Sequence, residues 1–253
     1  MKKRTKNISN YCGSLLLGFV LFNLVWWMCS EIFQLKALPK PMIVYSAYSD
    51  ALDNSISDHF TASLQRIVIG LCISLIVALI AGLAMGRYKL VNRIFSPLVY
   101  FTYPIPKLAL LPIVMVVFGI GETSKILIII LIIVFQLIIS IRDAVKHIPK
   151  EDYDVLTSLN ASGLQQMRHI TLPAILPEMF SSLRISSGIA ISALFFTETF
   201  GTDKGLGFYI TDSWMRIDYV QMYFGIFILS MMGLTIFILL DVLDTWICKW
   251  KRV

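Results

Sequence analysis

Hydrophobic run length constrains this chain more than any other feature. Several segments exceed the roughly 18 apolar positions that a helix needs to cross a bilayer. Between them lies residues 151–177, EDYDVLTSLNASGLQQMRHITLPAILP, too long for a turn and too polar to span. Composition agrees: 57% of the 253 residues are hydrophobic and 15% are charged, against about 25% charged in soluble domains. A large soluble protein with a rich core fails on run length.

The runs divide the chain into six predicted spans, an all-α polytopic membrane protein. Span one covers residues 11–33, with Trp26 and Trp27 placed for an interfacial aromatic belt. Its basic start resembles a signal peptide, but the apolar stretch is too long and no small-residue cleavage site follows, so it is read as a retained helix. An external loop with Pro39 and Pro41 follows. Span two covers 60–86 and carries Gly70, Ser74, Ala78, Gly82 and Gly86 at every fourth position, a face that lets another backbone approach closely. Arg66 near its start is placed to snorkel. Residues 94–118 contain Pro97, Pro104, Pro106 and Pro112, which predicts a kinked or split span packed inside the bundle. Span four, 126–141, is nearly pure Ile, Leu and Val, which suits lipid, with Gln136 as its one strongly polar interior residue. Span five, 179–200, is rich in small polar residues and faces protein or a polar path. Residues 201–218 read as a glycine-bearing loop, and span six covers 219–243.

Six spans put both termini on one side, and basic residues choose the side. Lys2, Lys3, Arg4 and Lys6, then Arg87, Lys89 and Arg93, then Arg142, Lys146, Lys150 and Arg168, and finally Lys249, Lys251 and Arg252 fall together. The opposite side holds only Lys36, Lys40, Lys125, Lys204 and Arg216. The positive-inside rule therefore places both termini and the polar segment in the cytoplasm. The net charge of +6 is thus explained by topology rather than by nucleic acid. The coarse division is a tail, first helix and external loop over 1–58, a five-helix core over 59–243 with the polar loop at 149–177, and a tail over 244–253.

Within the polar loop, Pro149 is suited to begin a helix, with Glu151 and Asp152 in the first turn. Tyr153, Leu156 and Leu159 form an apolar stripe. Asn160 tolerates the left-handed backbone that ends a helix. Ser162 and Gln165 have capping-box spacing for a second short helix, which Leu172, Pro173 and Pro177 end. A partner-docking element and an amphipathic hairpin that merely caps the bundle both fit these residues.

No catalytic pattern is present. Cys12, Cys29, Cys72 and Cys248 are scattered, His59, His147 and His169 form no ligand set, and GIGETSK at 119–125 lacks P-loop spacing. Candidate pathway residues are Arg66, Gln136, Ser187, Ser192, Thr197 and Glu198, because polar groups in spans are costly and point to function. A self-contained channel or ion-coupled carrier is the alternative, and a membrane enzyme a third class. A carrier would show a mid-membrane charge constellation or an inverted repeat.

The segment DVLTSLNASGLQQMRHITLPAILP resembles the EAA loop of ATP-binding-cassette (ABC) importer permeases. Asp154 stands at the family glutamate, Val155 and Leu156 at its two alanines, Asn160 at its glycine, and Leu172-Pro173 at the closing pair. LPKPMIV, SLQRIVIG, FGIGETSK, LRISSG and TETFGTDKGLGFYI resemble further family motifs in the same order, closest to permeases of the sulfonate, taurine and nitrate type, a group that also includes thiamine-precursor importers. The resemblance implies a type I importer fold in the prokaryotic inner membrane. It implies a pair of permease subunits, two cytoplasmic ATPases and an extracytoplasmic binding protein. ATP and Mg would be bound by the ATPase, and this chain would hold no cofactor, no metal and no enzyme activity. Asp154, Val155, Leu156, Leu159, Asn160, Ala161, Ser162, Leu172 and Pro173 would carry coupling to that ATPase. The implied solute is a sulfonate, taurine, nitrate or a thiamine-precursor pyrimidine.

Overall fold

The computed structural model describes residues 2–53 and 55–252, with side chains at the two extremities and around residue 53 outside the description. The ordered elements are helical: α1 Lys2–Phe33, α2 Pro41–Ser46, α3 Tyr48–Asp53, α4 Ile56–Arg87, α5 Lys89–Thr102, α6 Leu111–Phe118, α7 Glu122–Lys146, α8 Lys150–Ser158, α9 Gly163–Gln166, α10 Leu172–Glu198, α11 Leu206–Met215 and α12 Tyr219–Ile247. Among the described residues, five helical segments are long and apolar enough to span, and six if the bent pair of α5 with 107–118 counts as one.

The chain forms two units, residues 1–57 with 209–227, and residues 58–208 with 228–253. In the first, the Trp26 ring stacks on Tyr223 at 5.4 Å and Tyr45 donates to Asn23 at 2.6 Å. Trp26 therefore turns inward, and Trp27 alone of the tryptophan pair is exposed, 49% of its surface being free.

In the second unit the small-residue face of α4 meets α7. A Cβ added to Gly70 would lie 2.7 Å from Ile129, one on Gly82 2.8 Å from Ile141, and one on Gly86 2.5 Å from Val145. Ser74 and Ala78 on the same face are fully buried. This corrects the lipid-facing expectation for span four. Half of its spanning window is buried, including Ile128, Ile129, Ile133, Leu137 and Ile141. Branched aliphatic side chains fill the grooves that glycine and alanine leave, and in a membrane protein apolarity does not separate lipid contact from core.

The third span bends by 82° between α5 and residues 107–118. Lys107 donates from Nζ to the carbonyl of Thr102 at 2.7 Å and to that of Tyr103. The carbonyls that close α5 are thus satisfied locally, and prolines there carry no donor to orphan. Burial inside the bundle was expected; instead Phe101, Ile113 and Val116 are exposed, while Leu111 and Val114 pack on Ile128.

Two further expectations are overturned. Leu172, Pro173 and Pro177 do not end a helix. α9 runs through a π-helical turn, Met167–Thr171, into α10, so 163–198 forms one span. The π turn, closed by the Leu172 N–H donating to the Met167 carbonyl, lies directly ahead of Pro173 and shifts the ladder where that missing N–H falls, and Pro177 lies inside α10. The loop read at 201–218 is shorter, because α11 occupies its second half.

Candidate functional site

The corner between α8 and α9 is built from local signals. α8 starts after Pro149, with Glu151 and Asp152 in its first turn. At its end, Asn160 adopts φ 59°. The Asn160 N–H donates to Thr157 at 2.9 Å and the Ala161 N–H to Leu156 at 3.0 Å, the paired bonds of a Schellman motif. One residue on, the Ser162 N–H donates to Gln165 Oε1 at 2.6 Å and the Gln165 N–H to Ser162 Oγ at 3.4 Å, a complete capping box. Two caps flank Ala161 and fix the angle between the helices.

The corner is also tied to the spans. Tyr153 Oη lies 2.9 Å from Thr171 Oγ1, and the Arg87 guanidinium sits 5.0 Å over the Tyr153 ring. Arg87 also donates to Gln166 at 2.8 Å, and Gln166 donates to Thr157 at 3.1 Å. The stripe foreseen at Tyr153, Leu156 and Leu159 therefore divides. Tyr153 and Leu156 are half-buried, while Val155 and Leu159 are 62% and 72% exposed beside Leu164 at 80%. Asp154 and Ser162 are exposed, and Ala161, Leu172 and Pro173 are half-buried. Arg87, Thr171 and Gln166 were missed in the sequence; their partners lie 9 to 79 residues away.

A second constellation lies where α4, α7 and α10 end together. Arg66 does not snorkel. It is 1% exposed and grips Glu122 with Nε and Nη2, each at 2.6 Å, and Glu198 with Nη1 at 2.7 Å. Nη1 also donates to the Lys204 carbonyl at 2.8 Å. Glu198, fully buried, accepts from Ser63 Oγ at 2.8 Å and from the Gly207 N–H at 2.8 Å. The Leu206 N–H donates to Ser63 Oγ at 2.7 Å. Lys125, also buried, donates to the carbonyl of Gly201 at 3.1 Å. Glu122 is exposed, whereas the buried charges of Arg66 and Glu198 are paired with each other and hydrogen-bonded by protein groups. Gly205 holds φ +126°, and a Cβ there would lie 2.5 Å from Glu198 Cδ. Only glycine fits so close to the pair. Ser63, Glu122 and Gly205 sit in the SLQR, GETSK and KGLG stretches, which were singled out without this role.

Among the remaining polar candidates, Ser187 and Thr197 are buried and donate to the carbonyls of Arg184 and Leu194 at 2.7 and 2.9 Å. Ser192 is exposed and donates to Gly188 at 3.3 Å. Gln136 stands apart from these and lines a cleft of about 700 Å³ with residues of α7, α8 and α10. Arg184 of α10 pairs with Asp241 of α12, an ion pair inside two spans that sequence reading did not single out.

The chain belongs to the family of binding-protein-dependent transport system inner membrane components, which it matches over residues 70–253. It is a membrane-embedded permease subunit of an ABC importer, a family that is not itself catalytic. It is 33% identical over 194 residues to the taurine transport system permease protein TauC of Escherichia coli K12, covering 74% of this chain and 70% of that protein. It is 25% identical over 237 residues to the formylaminopyrimidine transport permease protein ThiX of Halalkalibacterium halodurans, covering 93% and 95%. Identity to the nitrate import permease protein NrtB of Synechococcus elongatus is 26% over 241 residues, covering 90% and 85%. A solved structure of the MetNI methionine ABC transporter, in an inward-facing conformation, shares the fold with TM-score 0.53 and 16% identity, over 75% of this chain and 95% of that one.

Proposed function

We propose that two copies of this chain form the solute pathway of an importer and that the α8–α9 corner docks on a separate ATPase subunit. Both termini and the corner then lie in the cytoplasm, and an extracytoplasmic binding protein delivers solute to the opposite face. ATP and Mg are bound by the ATPase. Asp154, Val155, Leu156, Leu159, Asn160, Ala161 and Ser162 transmit its closure, and Leu172 and Pro173 carry the movement into α10. Arg66 and Glu198 clasp the far end of the pathway helices, and Gln136 faces solute, whereas Ser187, Ser192 and Thr197 serve helix packing around it. The solute belongs to the class of small sulfonates, taurine, nitrate or thiamine-precursor pyrimidines.

One observation carries this reading. The corner is capped on both sides of Ala161 yet leaves Val155, Leu159 and Leu164 exposed together. A hairpin that only capped the bundle would turn those side chains inward. The test is purification of the complex in lipid, followed by ATPase activity with its binding protein, empty and loaded. Stimulation by the loaded protein is expected; failure of the permease to bring down any ATPase sinks the docking role.

A further inference from the structure

The break in the third span exposes backbone at a depth where a bilayer offers nothing to bond it. Phe135 stands near the middle of α7, Glu122–Lys146, and the Lys107 ammonium lies 5.5 Å from its ring. On the cytoplasmic side of that level Arg142 reaches Ser96 at 3.3 Å, and on the other side Leu111 and Val114 pack on Ile128. Residues 103–106 therefore turn at mid-depth, roughly 15–20 Å from either end of α7 at the helical rise per residue. Tyr103, Pro104, Ile105 and Pro106 are all exposed.

Lys107 takes up the carbonyls of Thr102 and Tyr103, and the Ala109 N–H donates to that of Pro106 at 3.0 Å. Among the described residues no donor reaches the carbonyls of Pro104 and Ile105, and Tyr103 Oη has no partner. We propose that this break is a contact surface for a second copy of the chain, with Tyr103 Oη of each copy donating to the Pro104 or Ile105 carbonyl of the other. The inference rests on the paired-permease reading above and names a surface through which the pair meets.

Three observations choose the occupant. Lipid tails cannot bond an irregular backbone, which persists at membrane depth only against protein or along a water-filled cavity. The flanks of the break are strongly apolar, with Phe101 81%, Ile113 61% and Val116 85% exposed. A broad apolar patch around a few polar groups suits a packed protein contact better than a film of water. Finally, the polar groups match one another. A two-fold contact presents the same patch from both sides, so it must carry its own donors and acceptors. Tyr103 supplies an O–H, and the next two residues supply free carbonyls. Pro104 and Pro106 bring no N–H and fix the turn, so the acceptors are held in place without a competing donor.

The test is photo-crosslinking of the assembled complex in lipid nanodiscs, with p-benzoylphenylalanine in place of Ile105 or, for comparison, of Ile80, which is 69% exposed within the regular helix α4. A product of two permease chains is expected from position 105 and not from position 80. Its absence at 105, or equal yield at both positions, overturns the proposal. Tyr103→Phe removes both reciprocal bonds and should weaken association of the copies by about tenfold, read as copy number per particle by stepwise photobleaching on dilution. Unchanged association in that variant overturns the pairing. Water as the occupant would appear as labelling of Ile105→Cys by a membrane-impermeant maleimide above that of the parent, and this too overturns it. Copy number in the parent tests the underlying reading separately. One copy per particle beside a captured ATPase sinks the paired permease and this surface with it, whereas two copies without the product from 105 sink the surface alone.

Discussion

Arg66 and Glu198 stand 132 residues apart in the sequence and 2.7 Å apart in space, both shielded from solvent. The guanidinium bridges two carboxylates on two other helices, so α4, α7 and α10 meet at one charge cluster.

Removing one member leaves a buried charge with too few partners. Glu198→Ala should cost about 3–5 kcal/mol. The double replacement Arg66→Met with Glu198→Met should recover part of that loss, because no uncompensated charge remains. Thermal unfolding in detergent, followed by size-exclusion fluorescence, reads both. Equal stability of the single and double variants would show that the pair contributes little.

Gly205 sits where a side chain would collide with that pair. Gly205→Ala should behave like loss of Glu198, since the added methyl is placed 2.5 Å from Glu198 Cδ and 2.6 Å from Arg66 Nη1. The measurement is the same unfolding assay, with Gly119→Ala as a comparison. A methyl at Gly119 meets nothing within 4 Å, although its φ of +86° still carries strain.

Asn160 in the left-handed region separates the two helix caps. Asn160→Val should add about 1–2 kcal/mol of local strain, and Asn160→Gly should be tolerated. ATPase stimulation by loaded binding protein should fall in the valine variant and persist in the glycine variant. Equal stimulation would mean that the corner angle does not govern coupling.

Leu159 is exposed and makes no contribution to the core. Leu159→Glu should leave the unfolding temperature unchanged and abolish co-purification of the ATPase. A drop in unfolding temperature with capture intact would assign the residue to folding instead.

On α4, Gly82 faces Ile141 at a distance that excludes a side chain. Gly82→Val should overpack the helix pair by about 1–3 kcal/mol. Combining it with Ile141→Ala should restore stability, which a double-mutant cycle in the unfolding assay would measure.

Much of this architecture is legible in the residues. The four-residue spacing from Gly70 to Gly86 announces a close helix partner, the prolines after Pro97 announce a bend, and Asn160 with Ser162 announces the corner. What the pattern lacks is a partner for each signal. Span four is as apolar as a lipid-facing helix, and only the grooves of α4 reveal that it lies in the core. Arg66 reads as a snorkelling residue until Glu122 and Glu198 arrive from 56 and 132 residues away. Pro173 and Pro177 read as stops because the π turn that accommodates them leaves no signature of its own. Tyr153 fits the apolar stripe by spacing, yet its hydroxyl is claimed by Thr171.

The continuity of 163–198 has a mechanical consequence. Thirty-six residues of helix make a beam on the order of 50 Å long. Its one end is cross-braced to Arg87 and Thr157 through Gln166, and its other end is bolted at Glu198. On the proposed docking of the corner, a torque applied there would pass along this beam to the clasp, through the section where the Met167–Thr171 π turn and Pro177 interrupt the regular ladder.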